Sequence, residues 1–250
     1  MDTAFWIWGR HPVAEALELG RIDRVLVADG VKQAPILQQI EDVARRKRVE
    51  IRSVPSHEID RIAPDQNAQG VVAHAHLPIH DDVASLLADV ATESVPFLLI
   101  LDQIQDPHNA GALLRTASAA GVQGVVMSER RTVPLTGVVA KASAGALWHT
   151  PVAAVANIAR TLDTLRGAGL WIVGLAGDAR QTIYTVDLRE PTALVVGGEE
   201  RGLRRLTREK CDVLARLPMN GAVESLNASV AGALAMYEVT RQRTQMTGKS

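Results

Sequence analysis

Leu217-Pro218-Met219-Asn220-Gly221-Ala222-Val223-Glu224-Ser225-Leu226-Asn227 carries the densest chemical signal in the chain. A short apolar segment runs into Pro-x-x-Gly, and Ser225 and Asn227 then stand at the mouth of a helix rich in Ala, Val, Leu and Met. Small polar side chains at that point cap a helix by accepting from the free N–H groups of its first turn. An open helix start beside a glycine-bearing loop equally suits a place where a ligand meets backbone. This segment alone leaves both readings open.

Two upstream segments bear on the choice. Asp106-Pro107-His108-Asn109 is a turn running into a helix, Ala110 to Ala120, where Arg115 is the conspicuous member of an Ala/Leu-rich run. Asn109 and Arg115 are six apart, well off a common face of a straight helix, so they converge only if Asn109 lies in the loop or cap. Arg115 reads either as a surface arginine laying its stem along apolar neighbours or as a cationic fork aimed at a phosphate or another anion. Further on, Gly197-Gly198-Glu199-Glu200-Arg201-Gly202-Leu203 follows an apolar run. Paired glycines after a buried strand let backbone approach a ligand closely. Gly174-Leu175-Ala176-Gly177 is a further glycine-bearing strand end.

The elements that must position these groups follow from hydrophobic periodicity. Arg24 to Ala28, Val49 to Val54 and Gly70 to Ala75 read as strands, with an amphipathic helix from Ile36 to Arg48. Residues 1–77 therefore form a small α/β unit, and residues 78–95 a linker region containing a short helix from Val83. From Phe97 onward, near-continuous apolar runs (Phe97–Leu101, Val122–Met127, Trp171–Leu175, Ala193–Val196) alternate with helices, including Asn157 to Arg166. That pattern predicts a parallel sheet covered on both faces in residues 96–250. Ligands in such sheets collect at the carboxyl ends of the strands.

Composition narrows the chemistry further. A formal net charge of −1 gives no overall cationic field. Basic residues do cluster locally at Arg45, Arg46, Lys47 and Arg48, with Arg52 nearby, as candidate phosphate contacts or as a cation-favouring helix end. The single cysteine, Cys211, excludes an intrachain disulfide and fits a reduced, cytosolic setting. His74-x-His76 would project from one strand face, but no third ligand has metal-site spacing, so no metal is expected. No GxGxxG, P-loop or GxSxG motif occurs, which leaves dinucleotide, P-loop and serine hydrolase chemistry unsupported. No segment reaches the length of a membrane span.

Taken together, these segments resemble the SpoU/TrmH family of RNA ribose 2′-O-methyltransferases, within the SPOUT superfamily. The resemblance rests on three ordered motifs: Asp106 through Arg115, Val195 through Leu203, and Leu217 through Ala231. Gly9 to Leu17 and Asn67 to Val71 look like the N-terminal RNA-binding domain of the large-subunit rRNA branch. The resemblance implies a small N-terminal α/β RNA-binding domain and a parallel-sheet catalytic domain with a C-terminal trefoil knot. It also implies a homodimer with sites at the interface, S-adenosylmethionine as methyl donor, and 23S rRNA, at a guanosine, as substrate. By motif position, Gly177, Gly197, Leu217 and Leu226 are expected to contact the cofactor, and Asn109, Arg115, Glu199, Ser225 and Asn227 to form the catalytic group. The chain departs from the family pattern at Ala68, where many relatives carry His, and at Glu200 and Glu224, which add negative charge near the pocket.

The implied reaction is in-line attack of a ribose 2′-oxygen on a sulfonium methyl, and its difficulty lies in a hydroxyl barely ionised at neutral pH. A guanidinium stays protonated in proteins and is a poor base. Arg115 is therefore expected to clamp phosphate and developing alkoxide, with Asn109 orienting Arg115 or the ribose and Glu199 holding either one. The alternatives are ribose methylation of tRNA or of another rRNA nucleotide, and a non-catalytic ribosome-assembly RNA-binding protein. Intact motif residues argue against the last.

Overall fold

The computed structural model describes residues 2–64, 67–90, 95–199, 201–223 and 225–247. By packing, the chain divides into two units: Met1–Pro78 with Pro134–Trp148, and Ile79–Val133 with His149–Ser250.

The first unit runs β1 (Asp2–Trp8), α1 (Arg10–Glu18), β2 (Ile22–Ala28), α2 (Pro35–Lys47), β3 (Glu50–Val54), α3 (Ser56–Ile62) and β4 (Val71–Pro78). Its sheet has the order β1-β4-β2-β3, with only β2 and β3 parallel. Alternation along the strands sorts the side chains onto two faces. Phe5, Ile7, Val25, Ala73 and Ala75 are buried on one of them. Trp8, Leu26 and Val72 turn to the other, where they pack with Ile59 and Ala63. Amphipathic α2 buries Leu37, Ile40, Val43 and Ala44 and ends in Arg45, Arg46 and Lys47, with Arg48 as a left-handed C-cap.

The second unit contributes α4 (Val83–Asp89), β5 (Phe97–Asp102), α5 (Pro107–Ala119) and β6 (Gly124–Ser128). Residues 134–148, carrying α6 (Gly137–Ala142), then pack within the first unit. Gly137 is needed there, because a Cβ would sit 2.2 Å from the Trp6 carbonyl oxygen. The second unit resumes with β7 (Val152–Val155), α7 (Ile158–Gly167), β8 (Trp171–Leu175), β9 (Gln181–Thr182), β10 (Thr192–Gly197), α8 (Arg205–Glu209), β11 (Val213–Arg216) and α9 (Ala228–Thr247).

Its seven-stranded sheet has the order β7-β6-β5-β10-β8-β11-β9, and every pairing is parallel. Leu98, Ile100, Val126, Ile172, Ala193 and Val195 pack with Leu86 of α4 and with Ile158, Leu162 and Leu165 of α7. α5 and α9 pack together, and α9 also meets β10. Gly232 permits that approach, since a Cβ there would lie 2.4 Å from the Leu113 side chain. The strands are thus apolar on both sides, as a doubly covered parallel sheet requires.

The last turns of α9 are tied down by Arg243. Its guanidinium donates to the carbonyls of Leu188 (3.2 Å), Val95 (2.8 Å), Pro96 (3.1 Å) and Glu190 (2.7 Å), and lies 5.2 Å from the centre of the Phe97 ring. Those carbonyls belong to the segments that lead into β5 and β10.

Candidate active site

The carboxyl ends of β8, β10 and β11 open onto one cleft, where parallel sheets place their ligands. Its walls come from Leu175 to Gly177, from Val196 to Glu199 with Gly202, and from Ala215 to Leu217 with Met219, Ser225 and Leu226. All four expected cofactor residues, Gly177, Gly197, Leu217 and Leu226, therefore line it, as do Glu199 and Ser225.

The loop after β10 is held from both ends by one residue. Asp102, fully buried at the end of β5, accepts at its carbonyl from Gly198 N (3.0 Å). Its carboxylate accepts from Arg204 N (2.9 Å) and Arg204 Nε (2.6 Å). Between those anchors Gly202 N donates to Gly198 O at 2.9 Å, closing a compact loop that presents Glu199 and Arg201. The glycines there are steric necessities. A Cβ on Gly197 would meet the Gly202 backbone at 2.3 Å, and one on Gly198 would meet the Gln103 carbonyl oxygen at 2.5 Å. Gly197→Ala should therefore displace the loop and lower cofactor affinity at least tenfold, as measured by titration calorimetry; wild-type affinity would show that the loop yields freely.

A relay of amides joins the three motifs. Asp106 caps α5 by accepting from His108 N at 3.0 Å, so Asn109 sits in the first helical turn and is 6% exposed. Its amide nitrogen donates to Glu199 Oε1. Its carbonyl oxygen accepts from Asn227 Nδ2 at 2.9 Å. Asn227 Oδ1 in turn accepts from Ser229 N (2.9 Å) and from Ser229 Oγ (2.6 Å), capping α9. Capping and site building are thus one arrangement, because the capping side chain also fixes Asn109.

Arg115 takes a different place. With Asn109 inside the helix, the two do not converge: Asn109 is buried and Arg115 is exposed. Arg115 lines none of the cleft and has no hydrogen-bond or ion-pair partner among the described residues. Glu199 holds Asn109, one of the two partners expected for it. Asp102 and Arg204 are functional neighbours that motif spacing does not single out. The one local signal was a carboxylate closing an otherwise wholly apolar strand.

In the first unit, Arg45 pairs with Asp42 (3.1 Å), Arg46 with Glu18 (3.0 Å) and Arg52 with Glu50 (2.6 Å), all largely exposed. Ala68 is buried in the core beneath α3. Glu200 and Glu224 lie outside the described residues. No cluster of metal-ligating side chains occurs among the described residues.

The ends of three parallel strands thus meet around one cleft, bridged by a carboxylate–amide relay. The chain belongs to the SpoU rRNA Methylase family, which it matches over residues 96–237. Residues 6–79 match a second family, RNA 2'-O ribose methyltransferase substrate binding. The chain is 44% identical to the 23S rRNA (guanosine-2'-O-)-methyltransferase RlmB of Xylella fastidiosa, over 96% of this chain and 97% of that one. It is 42% identical to the putative TrmH family tRNA/rRNA methyltransferase YacO of Bacillus subtilis, over 95% and 96%. Its fold is similar to that of an AdoMet-bound rRNA methyltransferase from Sinorhizobium meliloti, with a TM-score of 0.80, 26% identity, and coverage of 95% of this chain and 87% of that one.

The cleft fits S-adenosylmethionine on its own features. Leu175, Leu217, Met219 and Leu226 offer apolar surface to an adenine ring, and the glycines after β8 and β10 expose backbone groups to its polar edges. Glu199 supplies a carboxylate to a cationic ligand.

Proposed function

We infer that the protein methylates the ribose 2′-hydroxyl of a guanosine in 23S rRNA. The observation that carries this reading is the Glu199–Asn109–Asn227 relay at the rim of the cleft, which unites one polar residue from each motif. The substrate class draws support from the 23S rRNA methyltransferase relative and from the match of residues 6–79 to a substrate-binding family. In this reading residues 1–77 bind RNA substrate, residues 78–95 link, and residues 96–250 form the methyltransferase domain, knotted where the segment after β11 closes the cleft. The protein acts in the cytoplasm; no helix among the described residues is long and apolar enough to cross a membrane.

Bound in the cleft against Gly177, Gly197, Leu217 and Leu226, S-adenosylmethionine supplies an electrophilic methyl group and leaves as a neutral thioether. The remaining work falls to the protein, which must position the 2′-oxygen and make its ionisation less costly. Asn227 and Glu199 lock the Asn109 amide in one orientation, so Asn109 meets the ribose already aligned. Glu199 Oε1 is engaged by Asn109, while Oε2 has no partner among the described residues and is open to the ribose. Ser225 shapes the cofactor loop. Arg115 clamps the neighbouring phosphate and the developing alkoxide.

Because Arg115 is exposed and does not line its own cleft, it serves the site of a second copy in a homodimer. α9 offers the surface for this, with Val230 46%, Leu234 44% and Tyr237 51% exposed along one helical row. Incubating the protein with labelled S-adenosylmethionine and unmodified 23S rRNA, followed by mapping of 2′-O-methyl groups, should give one modified guanosine. Label in tRNA alone, or in no RNA, would overturn the assignment.

A further inference from the structure

Beyond the cofactor cleft, the loop closed by Gly198 and Gly202 borders a second cavity. This recess, of about 500 Å³, is lined by Gln103, Gln105, Asp106, Arg131 and Arg201 together with Glu199 of the relay. Gly198, Glu199 and Gly202 are common to both cavities, so a single loop is the wall between them.

Its two cations are presented by separately pinned segments. Arg201 rides on the loop anchored at both ends to Asp102. Arg131 follows β6, where Ser128 Oγ donates to the Arg130 carbonyl (2.8 Å) and both Thr132 Oγ1 (2.8 Å) and Val133 N (2.9 Å) donate to the Ile104 carbonyl. Arg131 and Gln103 hold φ values of 60° and 66°, a left-handed backbone that non-glycine residues seldom adopt and that concentrates at functional sites. Two of the five such residues among those described therefore meet at this recess. Neither arginine has a hydrogen-bond or ion-pair partner among the described residues. Of the nearby carboxylates, Asp106 caps His108 N through Oδ1 and Glu199 accepts from Asn109 through Oε1.

We propose that this recess seats the sugar-phosphate of the acceptor nucleotide, with Arg131 and Arg201 as its phosphate ligands and Gln103 and Gln105 as polar contacts. Two guanidinium forks with no partner among the described residues fit phosphate oxygens by charge and by planar geometry. Glu199, shared with the cofactor cleft, places the seated ribose beside the methyl donor. The proposal rests on the function inferred above.

Arg131→Ala and Arg201→Ala, both at exposed positions, test it in the full-length protein with a labelled 23S rRNA fragment that the wild type methylates. Each should weaken RNA binding about tenfold, the worth of one charge-assisted contact. Each should also flatten the dependence of log affinity on log salt by about 0.7–0.9. S-adenosylmethionine affinity should stay at the wild-type value, and Arg→Lys should restore part of the RNA affinity. Unchanged RNA affinity and salt slope in both variants would overturn the proposal, as would loss of cofactor binding, which would assign the recess to the cofactor instead. Failure of the underlying function shows separately, as a wild-type protein that transfers no methyl group to any 23S rRNA fragment.

Discussion

Arg115→Ala lowers turnover by about 100- to 1,000-fold, the cost of removing one preorganised donor from developing negative charge, and leaves S-adenosylmethionine affinity unchanged. Single-turnover methylation of 23S rRNA alongside calorimetric cofactor titration checks both halves. Equal turnover in variant and wild type would remove Arg115 from the chemistry. Its exposed position on α5 adds a second expectation. If each site borrows Arg115 from a second copy, mixing inactive Arg115→Ala with inactive Asn109→Ala protein restores roughly a quarter of wild-type activity, because half the dimers are mixed and each mixed dimer has one intact site. No recovery after subunit exchange would place Arg115 in its own protomer's site. An Arg115→Lys pH–rate profile separates clamp from base, since a lysine base would introduce a new ionisation and a clamp would not.

Asp102→Ala should be the most damaging change outside the relay. It removes a fully buried carboxylate that bonds Arg204 twice, once to its backbone N–H and once to its guanidinium. Breaking a buried ion pair from one side costs about 3–5 kcal/mol, and the low end, about 3 kcal/mol, applies because Arg204 is 35% exposed and regains part of its hydration. At roughly 2–4 °C per kcal/mol for a unit of this size, melting should fall by roughly 10 °C. Cofactor affinity should fall with it, since the freed loop carries Gly197's closest neighbour. Calorimetry that finds the melting temperature within a degree or two of wild type would show that the loop is held by its backbone alone.

Much of this was legible in the amino-acid sequence, and the division between legible and hidden has a physical origin. The runs at Phe97–Leu101 and Ala193–Val196 read as buried parallel strands because no polar residue interrupts them, and both are strands paired side by side. Asn227 reads as a helix cap because capping depends on neighbours a few residues away. The role of Asp102 was hidden, because its partner lies 102 positions later and nothing local separates a structural carboxylate from a loop residue. The start of α5 at Pro107 was missed in favour of Ala110, and that difference places Asn109 inside the helix and Arg115 on another side of it. Which side is covered depends on where α9 packs, a fact that periodicity in α5 does not contain. The grouping of residues 134–148 with the first unit is likewise a property of the folded chain, as is the ion pairing of Arg45, Arg46 and Arg52.

The anchorage of Arg243 bears on when the enzyme comes into being. The relay draws on residues 109, 199 and 227, and the helix that carries Asn227's cap is fastened by Arg243 to carbonyls at Val95 and Pro96. These contacts join chain segments more than a hundred residues apart, the kind whose closure is slow and comes late in folding. On a translating ribosome the N-terminal strands emerge first, yet the relay cannot close until Asn227 has been made, and α9 gains its anchorage only when Arg243 follows. Chains without α9 would therefore be unable to modify RNA, and competence would arrive in one late step once that helix is made.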